Sequence, residues 1–121
     1  MKFAELKPPR SFPVGMRKGQ FLYDCGKIYL NDDEQITFMS GSKEYDVVKK
    51  NWGFYATPSL NGRLCHFGFM SCIAKNLKTE RIFALLVEEG KTAEFEDYLE
   101  KESMAVVAWL HEGDVQKIID D

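Results

Sequence analysis

The sequence predicts an α+β fold: an N-terminal antiparallel β-meander joined to a C-terminal sheet that carries a strand-helix-strand unit and a short terminal helix. Three observations lead there. Short runs of alternating apolar and polar residues, divided by Gly, Asn, Asp and Ser, fill much of residues 20–74. Runs apolar on both sides stand at 81–89 and 104–110. A segment of helical period lies between those two. The length of 121 residues suits one domain, so the reading is a single α+β domain spanning 1–121.

Residues 1–18 hold Pro8, Pro9, Pro13 and Gly15. Proline fixes its φ and has no N–H, so an irregular Pro-rich arm is expected. "QFLYD" (20–24) and "KIYL" (27–30) read as strands around a Cys25-Gly26 turn. Asn31-Asp32-Asp33 turns the chain again. "EQITFMS" (34–40) and "EYDVVKK" (44–50) alternate, with Gly41-Ser42-Lys43 between them. "HFGFMSCIA" (66–74), "RIFALLVEE" (81–89) and "MAVVAWL" (104–110) are the apolar strands, expected at the centre because strands buried on both faces read that way.

In "KTAEFEDYLEKE" (91–102), Phe95, Tyr98 and Leu99 fall on one helical stripe and the acidic residues fall outside it. Thr92 is the expected N-cap. The crossover is long enough for 81–89 and 104–110 to pair in parallel. In "HEGDVQKIIDD", Asp114 is placed to cap a short helix that docks through Val115, Ile118 and Ile119.

The apolar fraction of 45% and charged fraction of 29% are those of a globular chain. The odd set Cys25, Cys65 and Cys72, with no apolar leader in "MKFAELKPPRSFPVG", argues against a disulfide framework and for free thiols in the cytoplasm. No apolar run approaches a membrane span. The net charge of −3 hides an asymmetry: residues 1–81 carry 13 Lys/Arg against 8 Asp/Glu, and residues 82–121 carry 3 against 11.

The spacing tests for chemistry return little. Cys65 and His66 on a strand point to opposite faces and cannot form a dyad. His111 meeting a cysteine through the fold is the remaining nucleophilic arrangement. No Cys-x-x-Cys and no His-x-x-x-His occur, so no metal site is expected. No phosphate-binding Gly motif occurs, and no cofactor is expected. The acidic residues of 94–102 are spaced for a solvated helix face.

The segment "WGFYATPSLNGR" (52–63) is the candidate surface. On a strand, Trp52 and Phe54 take the core side and Tyr55 the far side. Pro58 moves the chain to an edge, and Asn61-Gly62 turns it back. Core aromatics followed by a loop explain the segment without any ligand. The functional reading is a site for a small anionic ligand (a sugar phosphate, nucleotide or nucleotide sugar) built from Tyr55, Arg63, Lys49, Lys50 and Asn61. Arginine engages phosphate or carboxylate through two parallel bonds, and an aromatic plate takes the uncharged part. The acidic chain, of pI about 5.4, and the lack of an RNA-binding motif rank nucleic acid below these ligands.

The expected function is therefore a small non-catalytic binding or accessory protein. The alternative is a protein–protein interaction subunit, contacting its partner through the acidic helix or a sheet edge near Pro58. A small enzyme or enzyme subunit ranks third. Thiol titration in denaturant is expected to count three free thiols; a lower count would overturn the reading of the cysteines.

Overall fold

Alternation and turn chemistry organise the chain into three antiparallel sheets. The computed structural model describes residues 1–15 and 18–120, with 113, 114 and 120 described in backbone only. The elements are β1 (Lys2–Pro13), β2 (Phe21–Tyr29), β3 (Gln35–Ser40), β4 (Lys43–Lys50), β5 (Gly53–Ala56), α1 (Arg63–His66), β6 (Phe69–Asn76), β7 (Ile82–Glu88), α2 (Thr92–Lys101), β8 (Met104–Trp109) and α3 (Gly113–Asp120). The sheets are the hairpin β1-β2, the meander β3-β4-β5, and a sheet of order β7-β6-β8. The class is α+β, with a strand-helix-strand unit and a short C-terminal helix. Among the described residues no helix is long and apolar enough to cross a membrane.

The first departure from expectation is the arm. Most of residues 1–18 form a strand, not an irregular segment: β1 pairs with β2 from Lys2↔Tyr29 to Pro13↔Phe21. The prolines fit because Pro8 and Pro9 lie where the register shifts, between Glu5 and Arg10, and Pro13 ends the strand. Bulges and strand ends are where a missing N–H does least harm. Cys25-Gly26 is likewise no turn. It lies inside β2, and Gly26 stands opposite the shift with φ 139°. A Cβ there would collide with the Ala4 carbonyl, so glycine allows the two backbones to approach.

The meander follows its sequence. The pairs Ser40↔Lys43 and Lys50↔Gly53 close β3–β4 and β4–β5 with two-residue turns. Thr37 Oγ1 donates to Asp46 Oδ1 at 2.5 Å across β3–β4, partnering one oxygen of a carboxylate whose residue is buried. Pro58 lies just after β5 ends at Ala56.

The C-terminal sheet corrects the idea of three central strands. Only β6 is central, antiparallel to β7 on one side and to β8 on the other. Thus β7 and β8 run in the same direction but do not pair; β6 occupies the place between them. Cys72 and Ala74 on β6 are 0% exposed, whereas β7 leaves Ile82, Phe83 and Leu86 open to solvent. At β8, Val106 and Ala108 pair with Ala74 and Ile73, so Val107 is the extra residue of a bulge and is exposed.

Asn76 closes this unit. Its Oδ1 accepts the N–H groups of Lys78 and Thr79, both at 2.9 Å, and so shapes the β6–β7 turn. Its Nδ2 donates 3.0 Å to the carbonyl of Glu102, at the end of α2. Phe95 of α2 meets Trp109 edge-on at 5.9 Å. Phe95 and Leu99 are half-buried as the helical stripe requires, but Tyr98 is exposed. Lys91, not Thr92, holds the N-cap position and makes no side-chain cap bond. In α3, Ile118 and Ile119 are exposed rather than docked. The cap expected from the Asp114 side chain lies outside the described residues.

The meander meets the C-terminal sheet at a few points. Tyr45 and Phe69 make an edge contact at 6.4 Å, and Lys43 Nζ lies 3.6 Å from Glu88 Oε1. Gly68, at φ 94°, lets the Lys43 stem pass; a Cβ there would stand 2.7 Å from Lys43 Cγ. Leu64 of α1 is 0% exposed. Leu64→Ala is expected to cost about 2–5 kcal/mol in denaturant unfolding, whereas Trp52→Ala, with Trp52 68% exposed, should change stability by about 0.5 kcal/mol or less. Asn76→Ala, which removes the hydrogen bonds to the carbonyl of buried Glu102 and to the N–H groups of Lys78 and Thr79, should cost about 1–3 kcal/mol.

Candidate functional site

The five residues singled out from the sequence are carried by β4, β5 and the loop into α1. The β4–β5 register sets their faces: Lys49 stands opposite Phe54 and Val48 opposite Tyr55. Directly opposed residues share a face, so Phe54 lies with Lys49 and Tyr55 with the buried Val48. The expected facing is overturned. Trp52 is in the turn before β5, and both Trp52 and Phe54 are exposed rather than core. Trp52 folds back and stacks on Tyr55, with ring centroids 6.1 Å apart and planes 21° apart.

The two lysines already have partners. Lys49 Nζ donates to Asp32 Oδ1 at 3.2 Å and to the Lys50 carbonyl, and it lies 5.8 Å from the Phe54 ring centroid. Lys50 pairs with Asp33. The hydrogen bond to Asp33, then its charge, holds the Lys50 ammonium protonated above the usual lysine range. Backbone bonds fasten the acidic loop here: Asp33 N–H to the Lys49 carbonyl at 2.8 Å and Lys49 N–H to the Glu34 carbonyl at 3.0 Å. Asp32 and Asp33 look like turn residues in the sequence. The β3–β4 hairpin brings them back beside Lys49 and Lys50, and that pairing was the available signal.

Arg63 opens α1. Ser59 Oγ accepts its N–H at 3.1 Å, and its guanidinium lies 5.0 Å from the Phe67 ring centroid. Gly62 is the N-cap of this turn with φ −149°, so Asn61-Gly62 leads into a helical turn rather than a hairpin. Asn61 is exposed in that loop. Lys49, Lys50, Tyr55, Asn61 and Arg63 line none of three cavities that the fold forms elsewhere.

One cavity, of about 190 Å³, is lined by Cys65, Phe69, Met70, Glu89 and His111. Because Cys65 and His66 lie on α1 and not on a strand, Cys65 reaches this space from above β6 while His111 enters just beyond β8. The His111 side chain is 10% exposed, its Nε2 is 3.4 Å from Glu112 Oε1, and its ring sits edge-on to Trp109 at 5.4 Å. His111 Nδ1 is buried without a hydrogen-bond partner. The fold thus gathers a thiol, an imidazole and a carboxylate around one small space, but no hydrogen bond joins thiol to imidazole, as an activated nucleophile requires. Among the described residues no group of three or more Cys, His, Asp or Glu is placed to share a metal ion.

A groove of about 440 Å³ runs between β7 and α2, lined in part by Leu86, Glu88, Glu94 and Phe95. A third cavity, of about 280 Å³, lies where Phe83, Tyr98 and Glu102 meet Gly15. Neither groove was expected from the sequence, because both depend on β7 being an edge strand.

No protein-family model, no curated protein and no solved structure matches the chain.

Two measurements follow from this geometry. Burial pushes the Cys72 thiol up, which keeps it protonated and unreactive. Iodoacetamide at mildly alkaline pH is expected to modify the exposed Cys25 and Cys65 first and Cys72 only on unfolding, as read by peptide mass spectrometry. Arg63→Ala should leave the melting temperature nearly unchanged, a change of about 0.5 kcal/mol or less, because an exposed guanidinium over one ring supports little packing.

Proposed function

We propose that this protein is a non-catalytic interaction subunit, completed by pairing with another protein through apolar surface that its own sheets leave open. The observation that carries this reading is area. The chain exposes 8811 Å². A compact monomer of 13.9 kDa exposes about 6,700 Å². The difference, about 2,100 Å², exceeds the roughly 800 Å² that each partner contributes to a standard protein interface.

The distribution of that surface supports the same reading. In β1-β2, exposed apolar side chains stand on both faces of the hairpin: Phe3 and Ile28 face one way, Tyr29 the other. A two-stranded hairpin is marginal in water without a covering layer. On the C-terminal sheet, the edge strand β7 exposes Ile82 and Leu86 on one face and Phe83 on the other. Large apolar side chains exposed on unpaired sheet edges suit a contact surface.

The anionic-ligand reading rests on Arg63, Tyr55 and Asn61, since Asp32 and Asp33 already neutralise Lys49 and Lys50. It ranks second for that reason.

The test is binding of an apolar fluorescent dye to the natively folded chain, alongside its sedimentation. The chain is expected either to bind dye before its unfolding transition or to hide the surface in an assembly. A compact monomer that binds no dye would overturn the reading.

A further inference from the structure

Resting on the reading as an interaction subunit, we propose that the partner is a second copy of this chain, with the basic β1-β2 hairpin of one copy lying along the acidic β7–α2 face of another. Charge is the first argument. Residues 1–29 carry six Lys/Arg against two Asp/Glu, and residues 82–102, which span β7 and α2, carry two against seven. Hairpin against hairpin sets cation against cation, and the acidic face against itself sets anion against anion. Only hairpin against acidic face is complementary, and complementarity of this kind selects both orientation and partner.

The surfaces also match in kind. Both hairpin strands and β7 are edge strands, whose outer N–H and C=O groups accept an added strand. Phe21 and Tyr23 stand exposed on one face of the hairpin, and Ile82 and Leu86 stand exposed on one face of β7. The groove between β7 and α2 offers Leu86 and Phe95 as an apolar floor, with Glu94 at its side to meet a cation. Within one chain the hairpin approaches the C-terminal sheet near its tip, where Gly15 lies against Glu102. The exposed strands behind that tip remain for another copy. The two patches differ, so reciprocal exchange closes the assembly at two copies and one-way contact extends it.

The experiment is sedimentation velocity of the full chain over a range of concentration and salt, with two surface variants. Lys2→Glu/Lys27→Glu reverses charge on one face of the hairpin, where Lys2 pairs with Tyr29 and Lys27 with Ala4. Glu94→Lys/Asp97→Lys reverses charge on adjacent turns of α2 and also removes the Asp97–Lys101 ion pair within the helix. Wild-type chain is expected to self-associate, each variant alone to associate about tenfold or more weakly at low salt, and an equimolar mixture to recover association. Circular dichroism checks that each variant folds. Should one not fold, carbodiimide coupling of isotopically mixed wild-type chains reads the same contact: cross-links between chains are expected to join lysines of 1–29 to carboxylates of 82–121. Association indifferent to both reversals, or interchain cross-links elsewhere only, would overturn the proposal. A monomer that still binds the apolar dye overturns self-pairing and leaves the interaction reading standing. A compact monomer without dye binding removes both.

Discussion

The amide of Asn76 and the strand it ends hold the C-terminal half together. Asn76 is buried, and three hydrogen bonds of its side chain tie the β6–β7 turn to the end of α2. Buried amide groups left unpartnered are costly, so burying the Asn76 amide calls for this set of bonds. Once it is made, β6 is covered on both edges, α2 lies over the sheet, and β8 returns antiparallel to β6. The strand that supplies Cys72 and Ala74 to the interior thus ends on a buried, hydrogen-bonded side chain.

The same arrangement creates the open surfaces. With β6 in the middle, β7 and β8 become edges. A strand as apolar as "IFALLVE" then has more hydrophobic side chain than the sheet covers. The N-terminal hairpin is the opposite case, satisfied in its backbone pairing yet, among the described residues, covered by no layer of comparable size. Two incompletely covered parts of opposite charge belong to one chain, and a single physical requirement, removal of apolar area from water, applies to both.

The candidate surface at 49–63 shows how pairing alters a charge pattern. Lys49 and Lys50 look like free cations beside aromatics when read along the chain. The β3–β4 hairpin returns Asp32 and Asp33 to them, and the local field becomes nearly balanced. The 190 Å³ cavity is the converse: Cys65 and His111 are distant in sequence and carry no shared motif, yet α1 and the end of β8 bring both to its lining.

Local chemistry alone determined the α+β class, the β3–β4 hairpin, the α2 stripe of Phe95 and Leu99, and the break after Ala56 at Pro58, because each depends on residues a few positions apart. Tertiary structure decided the rest. Proline content alone argued against a strand at 2–13, but pairing with β2 needs only that the prolines fall at a register shift and a strand end. Alternation in "WGFYA" placed Trp52 and Phe54 on the core side, and the register against β4 exposes Phe54 instead, since a one-residue shift inverts every side chain. The apolar runs at 82–88 and 104–109 carried no mark of order within the sheet. That order follows from which strand lies between them, and hydrophobicity, having no direction, cannot specify it.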